Sequence, residues 1–306
     1  MQVSKLKEHI SLIDVETVGI RDFIASYVLK GQKAGIIETG PTSSVPNLLL
    51  GLKKLHVKPE EVAYVAVSHI HLDHGGGVGT LIRSLPNAKV IVHRRGAPHL
   101  AKPEKLWQQS REVLERIADW YGQPEPVPLE RIIEAADGMT FDLGDNVAIK
   151  VVETLGHASH HQSYYETLGG GVFPGDAAGV YINKFDLVVP TTPAPFRLDG
   201  ALASLDKLIA LEPKALYYSH FGEALNAVGR LRSYGDQLRL WGRIAGQELE
   251  NKQGFDAIRE KILSSDPNVR KALGFIKVHP ILSETVLVNS IQGVIESARK
   301  HLNAPL

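Results

Sequence analysis

The sequence contains no cysteine. That excludes disulfides, thiolate metal ligands and a Cys nucleophile, so any bound metal must sit on imidazole and carboxylate. Methionine is nearly absent too, at two residues, a composition suited to selection at high temperature. The charged fraction of 22% lacks the enrichment that usually accompanies such adaptation. There is no excess of either charge sign, because 34 Lys plus Arg balance 34 Asp plus Glu. A polyanion meets no global attractive field here, which argues against nucleic acid or an anionic membrane as partner and for a small-molecule substrate. Long apolar runs are missing as well: Val62 to Val67 is among the longest, far short of a membrane span. The first twenty residues lack the uninterrupted apolar stretch of a signal peptide, and the expected location is cytoplasmic.

What is present is an alternation of short apolar runs and helical periodicities. At 306 residues and 43% apolar, the chain has room for one large domain and a smaller appendage. Strands are expected over Ile10 to Val18, Ile24 to Leu29 and Ala34 to Glu38, with Gly31 and Gly40 at the breaks. A helix from about Val45 to Leu55, an apolar run Val62 to Ser68, a helix beginning in Gly75-Gly76-Gly77 and a strand Lys89 to His93 follow. This is the pattern of an α/β layered domain. Between about 97 and 137, Leu106, Val113, Leu114, Ile117 and Tyr121 fall at helical spacing until Pro124, Pro126 and Pro128 end the run, which predicts a helical insertion. Strands resume over Met139 to Val152, at Tyr164 and over Gly171 to Phe173, then a helix Ala201 to Leu211 and a strand Ala215 to Tyr218. From Leu225 to Ile244 the apolar positions advance by three or four, the stripe of one long helix. More helices are expected at Phe255 to Leu263, Pro267 to Leu273 and Leu282 to Leu302. The predicted organisation is a catalytic domain over 1–223 and a helical region over 224–306.

Residues 68 to 77 read Ser-His-Ile-His-Leu-Asp-His-Gly-Gly-Gly. Three His and one Asp within six positions arise by chance in such a chain roughly once in a thousand. The bland alternative is a solvated histidine patch. A strand end can aim His69 and His71 at one ion, since residues two apart point the same way, while the following turn carries Asp73 and His74 to a second.

This segment, its place after an apolar strand and its Gly-rich continuation resemble the signature of the metallo-β-lactamase superfamily. The resemblance spans residues 10 to 223 and implies an αββα sandwich, here with the helical insertion and an all-helical C-terminal extension. It also implies three further ligands at strand ends. Val151 to Gly156 leads into His157, Gly171 to Gly175 into Asp176, and Leu216 to Ser219 into His220. By resemblance, His69, His71 and His157 hold one metal, Asp73, His74 and His220 hold the other, and Asp176 bridges them. Imidazole and carboxylate suit zinc above all, with iron or manganese as alternatives. A water shared by two divalent cations is acidified to hydroxide, the nucleophile such a centre would use, and Asp73 would orient it and relay its proton. His161 follows His157 by four, where relatives write Gly-His-Thr-Pro-Gly-His, and is expected to orient a ligand. The Gly of that pattern is His160 here.

True β-lactamases of this fold generally lack the bridging Asp and some use Cys, so Asp176 and the absence of cysteine point to ester-type bonds: a lactone, a carboxylic ester or a phosphotriester. Trp107, Trp120 and Tyr121 either line a substrate pocket or seal the core of the insertion. Quorum-signal lactonases place a Tyr three residues after the bridging Asp. That position is Gly179 here, and Tyr181 is the candidate oxyanion donor in its stead. A second reading is a glyoxalase II-like thioesterase, suggested by the helical C-terminal part, by Lys184-Phe185 and by Arg230, Arg232, Arg239 and Arg243, which otherwise form a solvated basic face. A third is a persulfide dioxygenase-like enzyme with a single iron. The C-terminal helices could also form a homodimer interface.

Overall fold

The computed structural model describes residues 1–302. The chain forms two compact units. The first comprises Met1–Glu153, His160–Gly175 and Pro213–Leu225; the second comprises Thr154–Ser159, Asp176–Glu212 and the chain from Asn226 onward.

The first unit holds two mixed sheets. Seven strands run in chain order across one of them: Val3–Lys7, Ile10–Asp14, Ala25–Lys30, Ala34–Ile37, Val62–Ala66, Lys89–His93 and Ile132–Ala135. The first four pair antiparallel and the last four parallel. Parallel strands are covered on both faces, which is why Val90, Ile91 and Val92 are all fully buried with no polar alternation. The second sheet runs in the order Gly222–Ala224, Ala215–Tyr218, Gly171–Phe173, Gln162–Glu166, Val147–Glu153 and Thr140–Gly144. Leu12, Tyr27, Leu29 and Ile37 from the first sheet meet Phe141, Ile149, Val151, Tyr164 and Phe173 from the second in one continuous core. With helices such as Val45–Lys54 flanking the sheets, this is the αββα sandwich of the α/β class.

The expected strands and helices are present with shifted ends. Two differences have local causes. The run Ile10 to Val18 stops at Asp14, whose carboxylate accepts the backbone N–H groups of Glu16 and Asp22 at 3.0 Å each and turns the chain. The insertion is helical over Ala97–Ala101, Glu104–Leu114 and Arg116–Tyr121, but its last residues form the edge strand Ile132–Ala135. The three prolines end helix formation, and the β-branched Ile132 and Ile133 pair with Val90 and Ile91.

The sheets place the loops that follow. In a parallel array all carboxyl ends lie at one edge, the edge where α/β proteins carry their sites. Ala34–Ile37, Val62–Ala66 and Lys89–His93 therefore deliver Glu38, His69 and the loop from His93 to Gly96 to the same edge. In the second sheet Gly171–Phe173 and Ala215–Tyr218 are parallel and end before Gly175 and His220. Tyr164, fully buried in the core, donates its hydroxyl to the carbonyl of Val67 at 2.7 Å, fixing the chain just before the histidine segment.

The second unit is a hairpin of Val180–Ile182 and Leu187–Val189 with helices Leu198–Ala210, Ala227–Glu250, Phe255–Ser265, Pro267–Val278 and Ile291–Leu302. The 24-residue helix is the one expected from Leu225 to Ile244. Its buried stripe of Leu231, Tyr234, Leu238, Trp241 and Ile244 packs against Leu198–Ala210 and Ile291–Leu302. Asp266, fully buried, anchors the unit. Its carboxylate accepts Gln237 Nε2 and Trp241 Nε1 at 2.7 Å each and caps Pro267–Val278 through the N–H groups of Asn268 and Val269. Asp266→Ala strands four donors, three of them buried, and the expected loss is about 3 to 5 kcal/mol of unfolding free energy in urea titration.

Candidate metal centre

The chain leaves the strand Val62–Ala66, passes through His69 and His71 in extended form and closes into the single helical turn Leu72–Gly75. The backbone N–H groups of His74 and Gly75 both bond the carbonyl of His71, at 3.0 and 2.9 Å. Gly76 is required because a Cβ there would stand 2.3 Å from the Leu72 carbonyl oxygen.

In the first unit, Asp73, His74 and His220 form one group, with a ligand atom from each all within 4.8 Å of one another. Asp73 Oδ2 lies 4.0 Å from His74 Nε2 and 3.6 Å from His220 Nε2. The far nitrogens are held from behind. His220 Nδ1 is 3.1 Å from the carbonyl of Phe23, which can only accept, so the proton is on Nδ1 and Nε2 carries the lone pair. His74 Nδ1 is 3.4 Å from Glu38 Oε1. Two atoms on one tetrahedral zinc at bonds of 2.0 to 2.1 Å sit about 3.3 Å apart, so small closures bring these donors to coordination distance. An outer carbonyl or carboxylate on the distal nitrogen is the usual support of a ligating imidazole. The group fits a divalent ion in donor chemistry, tautomer and spacing.

His69 and His71 form a second pair in the same unit, with His69 Nε2 2.8 Å from His71 Nδ1 and the rings edge to face at 4.4 Å. Ser68 Oγ lies 2.9 Å from His69 Nδ1, again leaving Nε2 as the inward atom. His161 is fully buried and tilted against His69 at 4.9 Å between ring centroids. Gly175 (φ +55°) packs beside it, where a Cβ would stand 2.7 Å from His161 Nε2 and 2.6 Å from the Ser68 Cβ. No other residue adopts that turn in that space. His160 faces the pair from 6.2 Å (His69) and 5.6 Å (His71) between centroids.

In the second unit His157 Nε2 and Asp176 Oδ2 are 3.4 Å apart, both side chains buried. His157 Nδ1 donates to the carbonyl of Thr191 at 2.9 Å, so here too the proton is on Nδ1 and Nε2 is the atom facing Asp176. His157 is four residues past Glu153, the end of its strand, and Asp176 directly follows Gly175.

Glu38 is the functional residue that the motif reading missed. It sits fully buried at φ +66° just past its strand, and its Oε1 accepts Ser68 N at 3.3 Å and Ser219 Oγ at 3.2 Å besides facing His74. Thr39 next to it donates Oγ1 to the His74 carbonyl at 2.8 Å. The only sequence signal was an acidic residue where an apolar strand ends in Glu-Thr-Gly. Glu38→Gln keeps the shape and removes the charge behind His74; zinc affinity, read by competition with a chromophoric chelator, is expected to fall about 10- to 100-fold.

Tyr181 is buried and donates its hydroxyl to Asp186 Oδ1 at 2.7 Å, which also receives Arg230 at 2.6 Å. Burial first, then the Asp186 carboxylate, push its phenol up to about 12. The Tyr181 hydroxyl is thus engaged within its own hairpin, by Asp186. Trp107 lines a cleft of about 580 Å³ with Arg111, Glu112, Arg116 and Asp119 on the insertion's own helices, Arg116 lies over Trp120 at 5.2 Å, and Tyr121 is buried. Neither Asp73 nor any of the histidines described above lines that cleft.

Residues 19–220 match the profile of the metallo-β-lactamase superfamily. A metallo-β-lactamase fold-containing protein of Sulfurisphaera tokodaii is 29% identical over 201 residues, 64% of this chain and 72% of that one. The N-acyl homoserine lactonase AttM of Azorhizobium caulinodans is 30% identical over 113 residues, 37% of this chain and 39% of that enzyme, so this chain spans well under half of the lactonase. The crystal structure of an archaeal metallo-β-lactamase superfamily protein from Sulfolobus tokodaii superimposes with a TM-score of 0.71 at 25% identity, over 95% of this chain and all of that one. Among the described residues no helix is long and apolar enough to cross a membrane. Sandwich, histidine segment and profile converge, and the chain belongs to the metallo-β-lactamase superfamily of metal-dependent hydrolases.

Proposed function

We propose that this protein is a dinuclear hydrolase of ester-type bonds, a lactone, a carboxylic ester or a phosphotriester, with zinc as the metal. His69, His71 and His157 hold one ion, Asp73, His74 and His220 the other, and Asp176 bridges them. The observation that carries the reading is the Asp73, His74 and His220 group, in which both imidazoles have their outer nitrogens engaged and both Nε2 atoms face one carboxylate. Divalent ions held there would supply Lewis-acid activation of water and of the substrate oxygen. Asp73, partly exposed among buried imidazoles, would orient the nucleophilic water and take its proton. His161, behind His69, keeps that ring in its orientation.

The ester preference draws support from the lactonase AttM among the relatives, matched over part of its length. A glyoxalase II-like thioesterase is the second reading, favoured by Lys184 at 5.7 and 6.0 Å over the Phe185 and Phe275 rings, a cationic and aromatic surface suited to an anionic thiol carrier. The deciding experiment loads the protein with zinc and measures kcat/KM on γ-lactones, phosphotriesters, S-lactoylglutathione and a β-lactam. Highest rates on lactone or phosphotriester support the proposal. Dominance of the thioester transfers it to the second reading.

A further inference from the structure

The C-terminal helices contain one irregular turn. Thr285–Ser290 is π-helical between Leu282–Glu284 and Ile291–Leu302. Such turns cost regular hydrogen bonding and recur where a helix must present a group to a functional site. Ser290, fully buried at the end of this one, donates its hydroxyl to the Thr285 carbonyl at 2.7 Å and accepts the backbone N–H of Thr192 at 3.1 Å. Its own carbonyl accepts the Thr192 hydroxyl at 2.7 Å. The approach is close: a Cβ at Gly293, one turn on, would stand 1.9 Å from the Thr192 carbonyl oxygen.

The N–H held by Ser290 belongs to the same peptide group as the Thr191 carbonyl that receives His157 Nδ1–H. That group is planar and rigid, so fixing one end fixes the other. A donor bonded to the carbonyl and an acceptor bonded to the N–H also polarise the amide in the same sense and strengthen both bonds. We propose that Ser290 is a positioning residue for the metal site, holding the Thr191–Thr192 peptide so that His157 keeps its Nδ1–H tautomer and presents Nε2. The inference rests on the reading of His157 as a ligand. It gives the π-turn a function: at its end both the hydroxyl and the carbonyl of Ser290 reach Thr192 while Ser290 stays within the helix.

The test uses full-length Ser290→Ala and Ser290→Cys; cysteine keeps the shape with a weaker hydrogen bond. Imidazole 15N spectra of the metal-free protein, at alkaline pH where the rings are neutral, report the His157 tautomer without any metal. Zinc titration against a chromophoric chelator reports the two site affinities separately. In Ser290→Ala the His157 signals are expected to shift toward a tautomer mixture, with one zinc site weakened about 10- to 100-fold and the other unchanged. Ser290→Cys is expected to fall between, and it carries the test alone if the alanine variant does not fold. Unchanged tautomer and affinities in a folded variant overturn the proposal, as does equal weakening of both sites with the tautomer intact. Failure of the wild-type protein to bind two ions counts against the metal reading, and the tautomer measurement still decides the role of Ser290.

Discussion

Asp73→Asn is expected to leave a folded protein whose kcat/KM on an activated aryl ester, at saturating zinc, has fallen about 10²- to 10⁴-fold, the range for loss of a positioned general base. Asn matches Asp in shape, so packing around the turn Leu72–Gly75 is preserved and the change is one of charge and proton affinity. In the native protein Asp73 Oδ2 faces the Nε2 atoms of His74 and His220, whose Nδ1 sides are engaged by Glu38 and by the Phe23 carbonyl. The rings cannot turn to replace it. An amide retains one oxygen for coordination but cannot accept the nucleophile's proton. Saturating zinc keeps weaker binding from being mistaken for slower chemistry, and unchanged circular dichroism excludes misfolding. Near-normal turnover would falsify the assignment of Asp73.

Stripping divalent ions with a chelator is expected to abolish hydrolysis and to lower the melting temperature. Each ion at a thousandfold excess over its Kd contributes about 4 kcal/mol to the folded state. For a chain of this size that corresponds to a fall on the order of 10 °C for each ion lost. The stabilisation would arise because folding brings donors such as Asp73, His74 and His220 into a geometry that the unfolded chain does not hold. Readdition of zinc to two equivalents per chain, followed by differential scanning fluorimetry and elemental analysis, should restore both properties. Saturation at one iron per chain, with oxygen uptake on a persulfide, would move the protein to the dioxygenase reading.

Most of the sandwich was legible because its signals are local. Lys89–His93 carries five consecutive strand residues and ends where the sequence predicts. The long helix could be read from its three-and-four spacing, though it continues to Glu250 because Gln247, Glu248 and Leu249 are good helix formers with no apolar stripe to mark them. The pairing of Val180–Ile182 with Leu187–Val189 was not legible, because two three-residue runs carry too little periodicity to identify each other as partners. The sequence reading drew a boundary near 223, whereas the compact units interleave: Thr154–Ser159 and Asp176–Glu212 belong with the C-terminal helices. Contacts that far apart in sequence leave no compositional break.

By itself the sequence determined which donor atoms are available: with no cysteine, a histidine hexad and three later strand ends, the centre could be built only of imidazole and carboxylate. The tertiary structure alone decided which way those donors face. Glu38 reaches Ser219 across 181 positions and His220 reaches the Phe23 carbonyl across 197, while the tautomer of His157 is set by the Thr191 carbonyl, 34 residues on. A tautomer depends on what lies behind the ring, and a backbone carbonyl has the same chemistry in every residue. No pattern of side chains can announce it before the chain is folded.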